Sequence, residues 1–277
     1  MTDYLISVII PTYNRAWVVR DAIDSVLGQS HADFELIVVD DGSTDGTPRI
    51  LDAYGDRLQV IRQERGGVSA ARNRGIAAAA GPLVALLDSD DLWLPNKLAV
   101  QVDFFKNNQS ALICQTEEIW IRNGLRVNPA KRHRKPSGMI FERSLELCLV
   151  SPSAVMARRE LFDLVGLFDE SLPACEDYDL WLRVGSRFPV HLIDRPLVIK
   201  RGGHPDQLSR QPSLDRYRIH SLVKLIEAGR LTPIQHDAVV ITLRKKCAVY
   251  ANGCLKRGRL AEAAHYASLS RKHLLSG

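Results

Sequence analysis

A cluster of carboxylates follows an apolar run in the first third of the chain. Asp88, Asp90 and Asp91 lie within four residues, directly after Leu86 and Leu87. Like charges this close repel one another unless a cation lies among them. Mg²⁺ and Mn²⁺ commonly take only one or two protein carboxylates and complete their shell with phosphate oxygens and water. The cluster therefore favours a divalent cation shared with the phosphates of a substrate.

Calcium binding, a nucleophilic aspartate and a helix cap are the alternatives for this cluster. A calcium loop of the EF-hand type needs an oxygen ligand at position 92 and glycine at 93, where the chain has Leu92 and Trp93. A phosphatase-type aspartate nucleophile suits a strand end, but no other motif in the chain supports it. The plainest alternative is a helix cap, with Asp90 or Asp91 capping the helix expected near Pro95 or the turn before it. Taken alone, the cluster does not decide between a cap and a cation.

Two further pairs of carboxylates follow or begin predicted elements. Asp40 and Asp41 follow the apolar run 34–39, and Glu176 and Asp177 begin a predicted helix. A helix N-terminus keeps a carboxylate ionised, which suits a general base that must arrive deprotonated. Without other motifs, the simpler interpretation is that Glu176 and Asp177 only offset the helix dipole.

Histidine and basic residues add two weaker signals. His204 lies in the glycine-containing segment 200–205, which could move over a substrate, although a lone loop histidine is more often a surface residue. The basic run 131–135 could contact an anionic acceptor or a membrane surface, or could simply be solvated.

The elements that must position these residues alternate over the first ~110 residues. Short β-branched runs alternate with helical periods, which is typical of a parallel sheet with helices on its faces. In open α/β sheets ligands collect beyond the carboxyl ends of the strands, so 40–41 and 88–91 are expected to face one crevice. The predicted strands are 5–10, 34–39, 58–61 and 83–87, and the apolar positions of the helices are Val19, Ala22, Ile23, Val26 and Leu27, an alanine-rich stretch about 68–80, and Leu98, Val102 and Phe105.

The second half of the chain is less regular. Segment 123–138 is polar and rich in Pro and Gly, which predicts a mobile loop or a hairpin with a long tip. A short strand is expected at 154–156 and a helix over 176–188. From about 213 onward the pattern is wholly helical, with breaks near 229–233 and 258, so a domain boundary is predicted near 210.

The C-terminal residues 213–277 carry apolar stripes flanked by basic residues. This pattern suits a small helical bundle docked on the preceding domain, or an amphipathic anchor on anionic lipid. The stripes are aliphatic and alanine-rich, with tyrosine as their only aromatic residue. That composition favours the bundle.

Composition limits the compartment and the partners. The apolar run 5–10 is too short for a signal peptide or a membrane span. Five cysteines without a CxxC pair suit a reducing cytoplasm. We therefore expect a cytoplasmic protein, with peripheral contact at the inner face of the membrane as an option. The net charge of +5 and pI near 9.0 favour anionic partners.

In their order along the chain, the motifs resemble those of the family 2 glycosyltransferases of the GT-A fold, over nearly all of residues 5–210. Each piece is weak, and the ordered set is strong. The matching segments are Pro11–Arg15 (PTYNR), Asp40–Asp45 (DDGSTD), Gly67 with Ala71–Gly75 (ARNRG), Asp88–Asp91 (DSDD), Gly166–Glu170 (GLFDE) and Glu176–Arg183 (EDYDLWLR).

The resemblance implies an α/β fold of GT-A type, with a mostly parallel central sheet flanked by helices. The helical pattern beyond it predicts a C-terminal all-helical extension. The catalytic domain would be 1–210, with a nucleotide-binding half of about 1–110 and an acceptor half of about 111–210, followed by a helical region 211–277. The roles that it implies are nucleotide binding by Pro11, Thr12, Tyr13, Arg15, Asp40, Asp41, Arg72, Asp88 and Ser89, metal binding by Asp90, Asp88 and His204, and general base catalysis by Asp177, with Glu176 as the next choice.

The resemblance also implies the reaction. A metal-dependent, inverting hexosyl- or N-acetylhexosaminyltransferase would use Mg²⁺ or Mn²⁺ and a nucleotide sugar, with UDP the likeliest nucleotide by family frequency. The acceptor would be a sugar or lipid-linked sugar, in the synthesis of cell-surface polysaccharide or glycan. No nucleic-acid partner is expected, and a homo-oligomer is an option.

Two competing functions are open at this point. A sugar nucleotidyltransferase shares the architecture but would want a glycine-rich loop with a catalytic lysine after the first strand, where this chain has PTYNR. A nucleotide-sugar-binding scaffold without transfer activity would not need both Asp90 and Asp177. Fold-level analogy alone does not separate these classes.

Overall fold

A sheet of nine strands forms the centre of the computed structural model, which describes residues 4–204, 207 and 213–272. The strand order is β3-β2-β1-β4-β8-β6-β9-β5, and β7 pairs with β6. The strands are β1 (Ile6–Thr12), β2 (Phe34–Asp40), β3 (Gln59–Arg62), β4 (Leu83–Leu86), β5 (Leu92–Trp93), β6 (Ile113–Arg122), β7 (Leu125–Val127), β8 (Val155–Arg158) and β9 (His191–Gly202).

Helices cover both faces of this sheet and continue after it. They are α1 (Val19–Leu27), α2 (Thr47–Asp52), α3 (Val68–Ala78), α4 (Lys97–Asn107), α5 (Phe141–Ser144), α6 (Glu160–Val165), α7 (Glu176–Gly185), α8 (Asp215–Glu227), α9 (Pro233–Leu255) and α10 (Leu260–Lys272). The α/β class, the sheet flanked by helices and the C-terminal helices are as predicted.

The pairing of strands changes along the sheet. β3, β2, β1 and β4 are parallel neighbours, so their carboxyl ends meet at one edge. β8 then runs antiparallel to both β4 and β6, while β6 and β9 are parallel. The first half of the chain therefore forms the parallel part of the sheet, and the antiparallel pairs involve strands of the second half.

Strand alternation divides the core between two faces. Val8 and Ile10 of β1 pack with the apolar stripe of α1 and with α4, whereas Ile9 packs on the other face with Trp181 of α7. Side chains on both faces are fully buried, as expected for a parallel strand covered by helices. The predicted stripes of α1 and α4 face this core: Val19, Ala22, Ile23, Val26, Leu98, Val102 and Phe105 are buried, and Leu27 is half-buried against them.

The polar segment 123–138 begins with a hairpin that has a short turn, and after β7 it continues as an irregular stretch with one 3-10 turn at Lys131–His133. Arg122 pairs with Leu125, so the tip consists of only Asn123 and Gly124, both with positive φ (49° and 78°). The predicted long tip is wrong, because Asn-Gly suits the tight turn whose twist matches that of the strands.

Helix ends differ from prediction by a few residues. The helix predicted over 176–188 ends at Gly185, although Phe188 still packs against the core. α4 begins at Lys97, so Pro95 precedes the helix instead of lying in its first turn.

The C-terminal helices dock on the rest of the molecule. Their inner faces form one apolar cluster with α5 and α7, as the predicted bundle requires. α9 begins where the break near 229–233 predicts, with Thr232 and Gln235 forming a reciprocal cap around Pro233. Within 4–204, 207 and 213–272, no helix is long and apolar enough to cross a membrane. The predicted boundary near 210 lies outside the described residues.

Candidate active site

A cavity of about 1010 Å³ opens at the carboxyl ends of β1 and β4. The segments that follow these strands, together with the N-terminus of α7 and the end of β9, form its walls. All the predicted site residues except Asp40 line it: Pro11, Thr12, Tyr13, Arg15, Asp41, Arg72, Asp88, Ser89, Asp90, Glu176, Asp177 and His204. The expectation that the strand-end motifs share one crevice agrees with this placement.

Asp40 does not line the cavity. It is the last residue of β2, is buried, and accepts a hydrogen bond from the backbone N–H of Ser43 at 3.0 Å. Successive side chains of a strand point to opposite faces, so Asp40 and Asp41 cannot share one direction. Asp40 therefore shapes the turn after β2.

Asp41 holds a glycine-containing loop against the cavity. Its Oδ1 accepts from the backbone N–H of Gly66 and from Gln63 Nε2, each at 2.7 Å, and its Oδ2 accepts from the backbone N–H of Gly67 at 2.8 Å. Gly67 has a φ of +92°, which favours glycine at this point. The carboxylate thus joins the ends of β2 and β3 to the start of α3.

An aromatic ring and a guanidinium lie next to this loop. The Arg65 guanidinium is 4.1 Å from the centre of the Tyr13 ring, within the range of a cation–π contact. Asn14 adopts a positive φ of 50°, and its backbone N–H donates to Ser43. The turn after β1 is therefore tied to the turn after β2.

The three carboxylates of the acidic cluster face three different partners. Asp88 Oδ1 is 2.7 Å from Arg72 Nη2, and Asp90 Oδ2 is 2.7 Å from His204 Nε2. Asp91 accepts from Ser153 Oγ at 2.7 Å and from the backbone N–H of Arg201 at 2.9 Å. The repulsion expected from the sequence is relieved by these separate contacts.

Burial shifts the pKa of two of these carboxyl groups. It raises the pKa of Asp90, an effect that the Asp88 charge adds to and His204 opposes. Burial also raises the pKa of Asp91 well above its ordinary value, while Lys200 acts against that shift. Asp91, which is almost fully buried, is a structural acceptor between β4 and β9.

Arg72 of α3 links the acidic cluster to the N-terminus of α7. Its Nη1 donates to Glu176 Oε1 at 2.6 Å, while its Nη2 bonds to Asp88. Burial lowers the pKa of the Arg72 guanidinium, but Asp88 and Glu176 outweigh burial and raise it. Glu176 is buried, and its carboxylate pairs with Arg72 instead of facing the open part of the cavity.

Asp177 differs from its neighbour in its surroundings. It is partly exposed to the cavity, and its Oδ1 accepts from the backbone N–H of Tyr178 at 2.7 Å. The Cys148 thiol donates to its Oδ2 over 3.5 Å. Burial, with Asp177 adding to it, raises the pKa of Cys148 well above its ordinary value, so the thiol stays a proton donor. Asp177 forms no ion pair within the described ranges, and its carboxylate is more accessible from the cavity than that of Glu176.

Lys200 is a cavity residue that the sequence reasoning missed. Its Nζ donates to Ser151 Oγ at 2.9 Å. Burial lowers the pKa of Lys200, but Glu118 and then Asp91, Asp88 and Asp177 outweigh it and raise the pKa. The only signal in the sequence was its place four residues before His204 in the same segment.

The basic run 131–135 does not line the cavity. Lys131, Arg132 and Arg134 are exposed to solvent. Lys135 is buried in an ion pair with Glu118 at 3.1 Å. Burial would raise the pKa of Glu118, but Lys135 and Lys200 lower it to about 2.

Several polar atoms of the cavity-lining residues are buried without a hydrogen-bond partner among the described residues. Each of these groups can donate a hydrogen bond, which suits a ligand rich in acceptor oxygens such as a diphosphate. They are Thr12 Oγ1, Ser69 Oγ, Arg72 Nε, Arg201 Nη2 and Arg218 Nε.

The acidic cluster supplies few ligands for a cation. In the described part of the chain, no group of three or more His, Cys, Asp and Glu side chains is placed to hold a metal ion. Asp90 and His204 are already close to each other, with Asp88 on the same segment as Asp90. This small donor set fits an ion that takes most of its ligands from phosphate and water.

Known proteins are similar to this chain in sequence and in fold. An uncharacterized glycosyltransferase of Rickettsia conorii, RC0461, is 33% identical over 220 residues, which are 76% of this chain and 36% of that protein. The chain therefore spans about a third of that relative's length. The UDP-Glc:alpha-D-GlcNAc-diphosphoundecaprenol beta-1,3-glucosyltransferase WfgD of Escherichia coli is 32% identical over 186 residues, 66% of this chain and 71% of that one.

A solved structure shows the same fold. TarS of S. aureus, crystallised with UDP-GlcNAc, matches with a TM-score of 0.73 and 22% identity, over 86% of this chain and 71% of that one. The model of glycosyl transferase family 2 matches residues 7–166, which is more than half of the chain. The protein therefore belongs to glycosyl transferase family 2.

Proposed function

We propose that the protein transfers a hexosyl or N-acetylhexosaminyl group from a nucleoside diphosphate sugar, with UDP as the nucleotide, to a hydroxyl acceptor. The observation that carries this proposal is the content of one cavity. It holds the acidic cluster, several unpartnered donors and a partly exposed carboxylate, Asp177, on a rigidly packed helix.

In the proposed complex, the nucleotide occupies the segments after β1 and β2. Tyr13 packs against the nucleobase. Asp41 binds the ribose and still accepts the hydrogen bond from the backbone N–H of Gly66. Arg15 lies in the same wall and adds a positive charge. The unpartnered donors of Thr12 and Ser69 can bond to the ligand's oxygens.

Asp90, Asp88 and His204 are the residues that would hold Mg²⁺ or Mn²⁺. Such an ion would neutralise the negative charge that builds up on the leaving diphosphate. To admit it, the 2.7 Å contact between Asp90 and His204 must open.

Asp177 is the proposed general base. The acceptor oxygen bonds to the anomeric carbon as the diphosphate leaves, and its proton passes to Asp177. The backbone N–H of Tyr178 and the Cys148 thiol hold the two carboxylate oxygens in place. One base and one displacement predict a product anomer inverted relative to the donor.

The relatives suggest the acceptor class. WfgD is named for transfer to a sugar on diphosphoundecaprenol, and the TuaG relative of Bacillus subtilis, 36% identical over 166 residues, is named for teichuronic acid biosynthesis. We propose that this protein likewise uses a sugar or lipid-linked sugar acceptor in the synthesis of cell-surface polysaccharide.

A panel of nucleotide sugars tests the reaction. We expect slow release of the nucleoside diphosphate from one UDP-sugar with Mn²⁺ and little release in EDTA. A nucleotidyltransferase would instead release pyrophosphate from a nucleoside triphosphate and a sugar phosphate. A scaffold would bind a nucleotide sugar without turnover, and either result would contradict the proposal.

Calorimetry of UDP binding tests the cation. We expect tight binding in Mn²⁺ and weak binding in EDTA, and a strong loss of the Mn²⁺-dependent part in Asp90→Asn. Asp103→Asn, in an exposed ion pair outside the cavity, is the matched control. Equal affinity of the wild type in Mn²⁺ and EDTA would reject the metal site.

We also propose peripheral contact with the anionic inner face of the cytoplasmic membrane. The outer surface of α9 and the start of α10 expose Ile234, Ile241, Val249, Leu255 and Leu260, and Lys256 and Arg257 lie exposed beside them. Apolar and basic residues together suit a lipid surface with negative head groups.

Sedimentation with phosphatidylglycerol vesicles at physiological salt tests this contact. Ile241→Asp should reduce salt-sensitive binding, whereas Leu125→Asp, exposed on the β6–β7 hairpin, should not. No sedimentation of the wild type would rule the contact out.

A further inference from the structure

The C-terminal helical region contributes to the wall of the active-site cavity. Leu214 and Arg218, at and near the start of α8, line the same cavity as Asp177. Both lie beyond residues 7–166, the segment matched by the family model. The family motifs therefore do not account for this part of the wall.

Arg218 has unused hydrogen-bonding capacity. Its Nη1 donates to Asp215 Oδ1 on the same helix at 3.1 Å. Its Nε is buried and has no partner among the described residues, and its side chain is 22% exposed. A buried guanidinium N–H without a partner has a free-energy cost that an anionic ligand would remove.

Arg218 also lies close to the base. It acts electrostatically on Cys175 and Tyr178, the residues on either side of Glu176 and Asp177. Cys175 takes a positive φ of 62° immediately before α7, and its thiol contacts the Leu214 carbonyl at 3.9 Å. An anion bound by Arg218 would therefore be held next to the N-terminus of α7.

Two other arginines of the cavity, Arg72 and Arg201, form ion pairs with carboxylates of other elements. Arg72 bonds to two carboxylates, and Arg201 bonds to Asp21 and to the Asp90 carbonyl. Among the carboxylates near Arg218, Asp215 raises the pKa of its guanidinium through a hydrogen bond and its charge. Lys246, whose Nζ donates to the Glu146 carbonyl, is a neighbouring cation.

We propose that Arg218 binds a phosphate group of the acceptor and so selects acceptors that carry phosphate beside the accepting hydroxyl. This inference rests on the proposed transferase function, since it assigns the substrate of that same cavity. The planar guanidinium can direct two N–H groups at two phosphate oxygens. A lipid-linked sugar diphosphate and a phosphodiester polymer both carry such a group.

Calorimetry with two probes tests the inference. Hexyl diphosphate stands for a lipid-linked sugar, and glycerophosphoglycerol stands for a phosphodiester polymer. Each is titrated into protein saturated with UDP and Mg²⁺, so that the donor site is filled. We expect at least one probe to bind, and the one that binds more tightly identifies the source of the phosphate.

Arg218→Gln should weaken that binding about tenfold or more, and Arg218→Lys should weaken it less. Arg216→Gln is the matched control, because Arg216 is exposed on the same helix and contacts Tyr217 outside the cavity. Equal probe affinity in Arg218→Gln and wild type, or no binding of either probe to the wild type, would overturn the inference.

The UDP titration that precedes each probe separates two kinds of failure. Unchanged UDP affinity in Arg218→Gln shows that the variant is folded and its donor site intact. If the wild type does not bind UDP, the proposed function fails. If UDP binds normally but Arg218 has no effect on the probes, only the acceptor assignment fails.

Discussion

At the scale of single residues, Arg72 decides how the neighbouring carboxylates Glu176 and Asp177 divide their roles. One is fixed in a buried ion pair, while the other is partly exposed beside a thiol donor. Adjacent residues on a helix point in directions about 100° apart, so one carboxylate can serve structure while the next serves chemistry.

Glu176→Gln should lower the free energy of unfolding by about 3 kcal/mol, because it removes one partner of a buried guanidinium. Urea unfolding measures the change. Asp52→Asn is the control, since its ion pair with Arg62 is exposed and should be worth less than about 1 kcal/mol. Equally small losses in the two variants would show that the buried pair has no structural weight.

The side chain of Lys97, the first residue of α4, is fully buried. Its Nζ donates to Gln101 Oε1 at 2.6 Å and lies 3.9 Å from the Trp93 ring. Burial lowers the pKa of Lys97 to about 7. Between pH 7 and about 10.5 the unfolded chain therefore holds a proton that the folded protein has released, and this group makes stability rise with pH.

Lys97→Met should be more stable than wild type at pH 7, and the difference should shrink by up to about 1.4 kcal/mol per pH unit on going to pH 9. Urea unfolding at pH 7, 8 and 9 gives both slopes. Parallel pH dependences in variant and wild type would mean that Lys97 stays protonated in the folded protein.

At the scale of elements, the site depends on how closely α3 packs against β1. A Cβ added at Gly75 would lie 2.4 Å from Ile9 Cγ2, closer than side chains tolerate. This contact sets the depth of the helix that carries Arg72, three residues earlier. The glycine is thus explained by close packing and not by its backbone conformation.

Gly75→Ala should destabilise the protein by up to about 2 kcal/mol. Overpacking costs about 1–3 kcal/mol, and the gain in helix propensity returns about 1 kcal/mol. Gly185→Ala, in α7, is the control because its added Cβ would meet no atom closer than 3.5 Å. Thermal unfolding of both variants tests the argument, and a stabilised Gly75→Ala would refute it.

At the scale of the whole molecule, the C-terminal helices share a core with α7, the helix that carries Asp177, the proposed base. Leu243 of α9 is fully buried in that core, whereas Ile241 on the same helix is 58% exposed. Leu243→Ala should cost about 2–5 kcal/mol in a single transition, and Ile241→Ala should stay within about 0.5 kcal/mol.

Calorimetric unfolding of both variants measures this difference. An early separate transition in Leu243→Ala, with the remainder unfolding as in wild type, would show that the helices fold independently.

Deleting residues 213–277 should also lower solubility, because it exposes the face of α7 that carries Tyr178 and Leu182.

Much of the fold and the placement of the site could be predicted from the sequence. The apolar periodicity predicts the strands, and the motifs at 11–15, 41 and 88–91 follow strand ends. Because parallel strands end at the same edge of a sheet, these motifs are expected at one edge, where the structure has them. The sequence also indicates that Asp40 and Asp41 point in different directions. It does not indicate which of the two faces the cavity, because that depends on where β2 ends.

Long-range contacts could not be predicted in this way. Arg72 bonds to residues 16 and 104 positions away, and Arg218 reaches the cavity from a helix with no family motif. Such contacts depend on the three-dimensional packing of whole elements, which neither periodicity nor local spacing encodes. The short turn at 123–124 was a local signal, and it was missed in a polar segment.

The most direct test of the central claim is the rate of diphosphate release by Asp177→Asn, using the nucleotide sugar that the wild type turns over best. We expect the rate to fall by about 10²–10⁴, with donor affinity by calorimetry nearly unchanged, because a general base acts on the proton of the attacking hydroxyl and not on donor binding. Turnover at the wild-type rate would contradict the account and place the base elsewhere in the cavity.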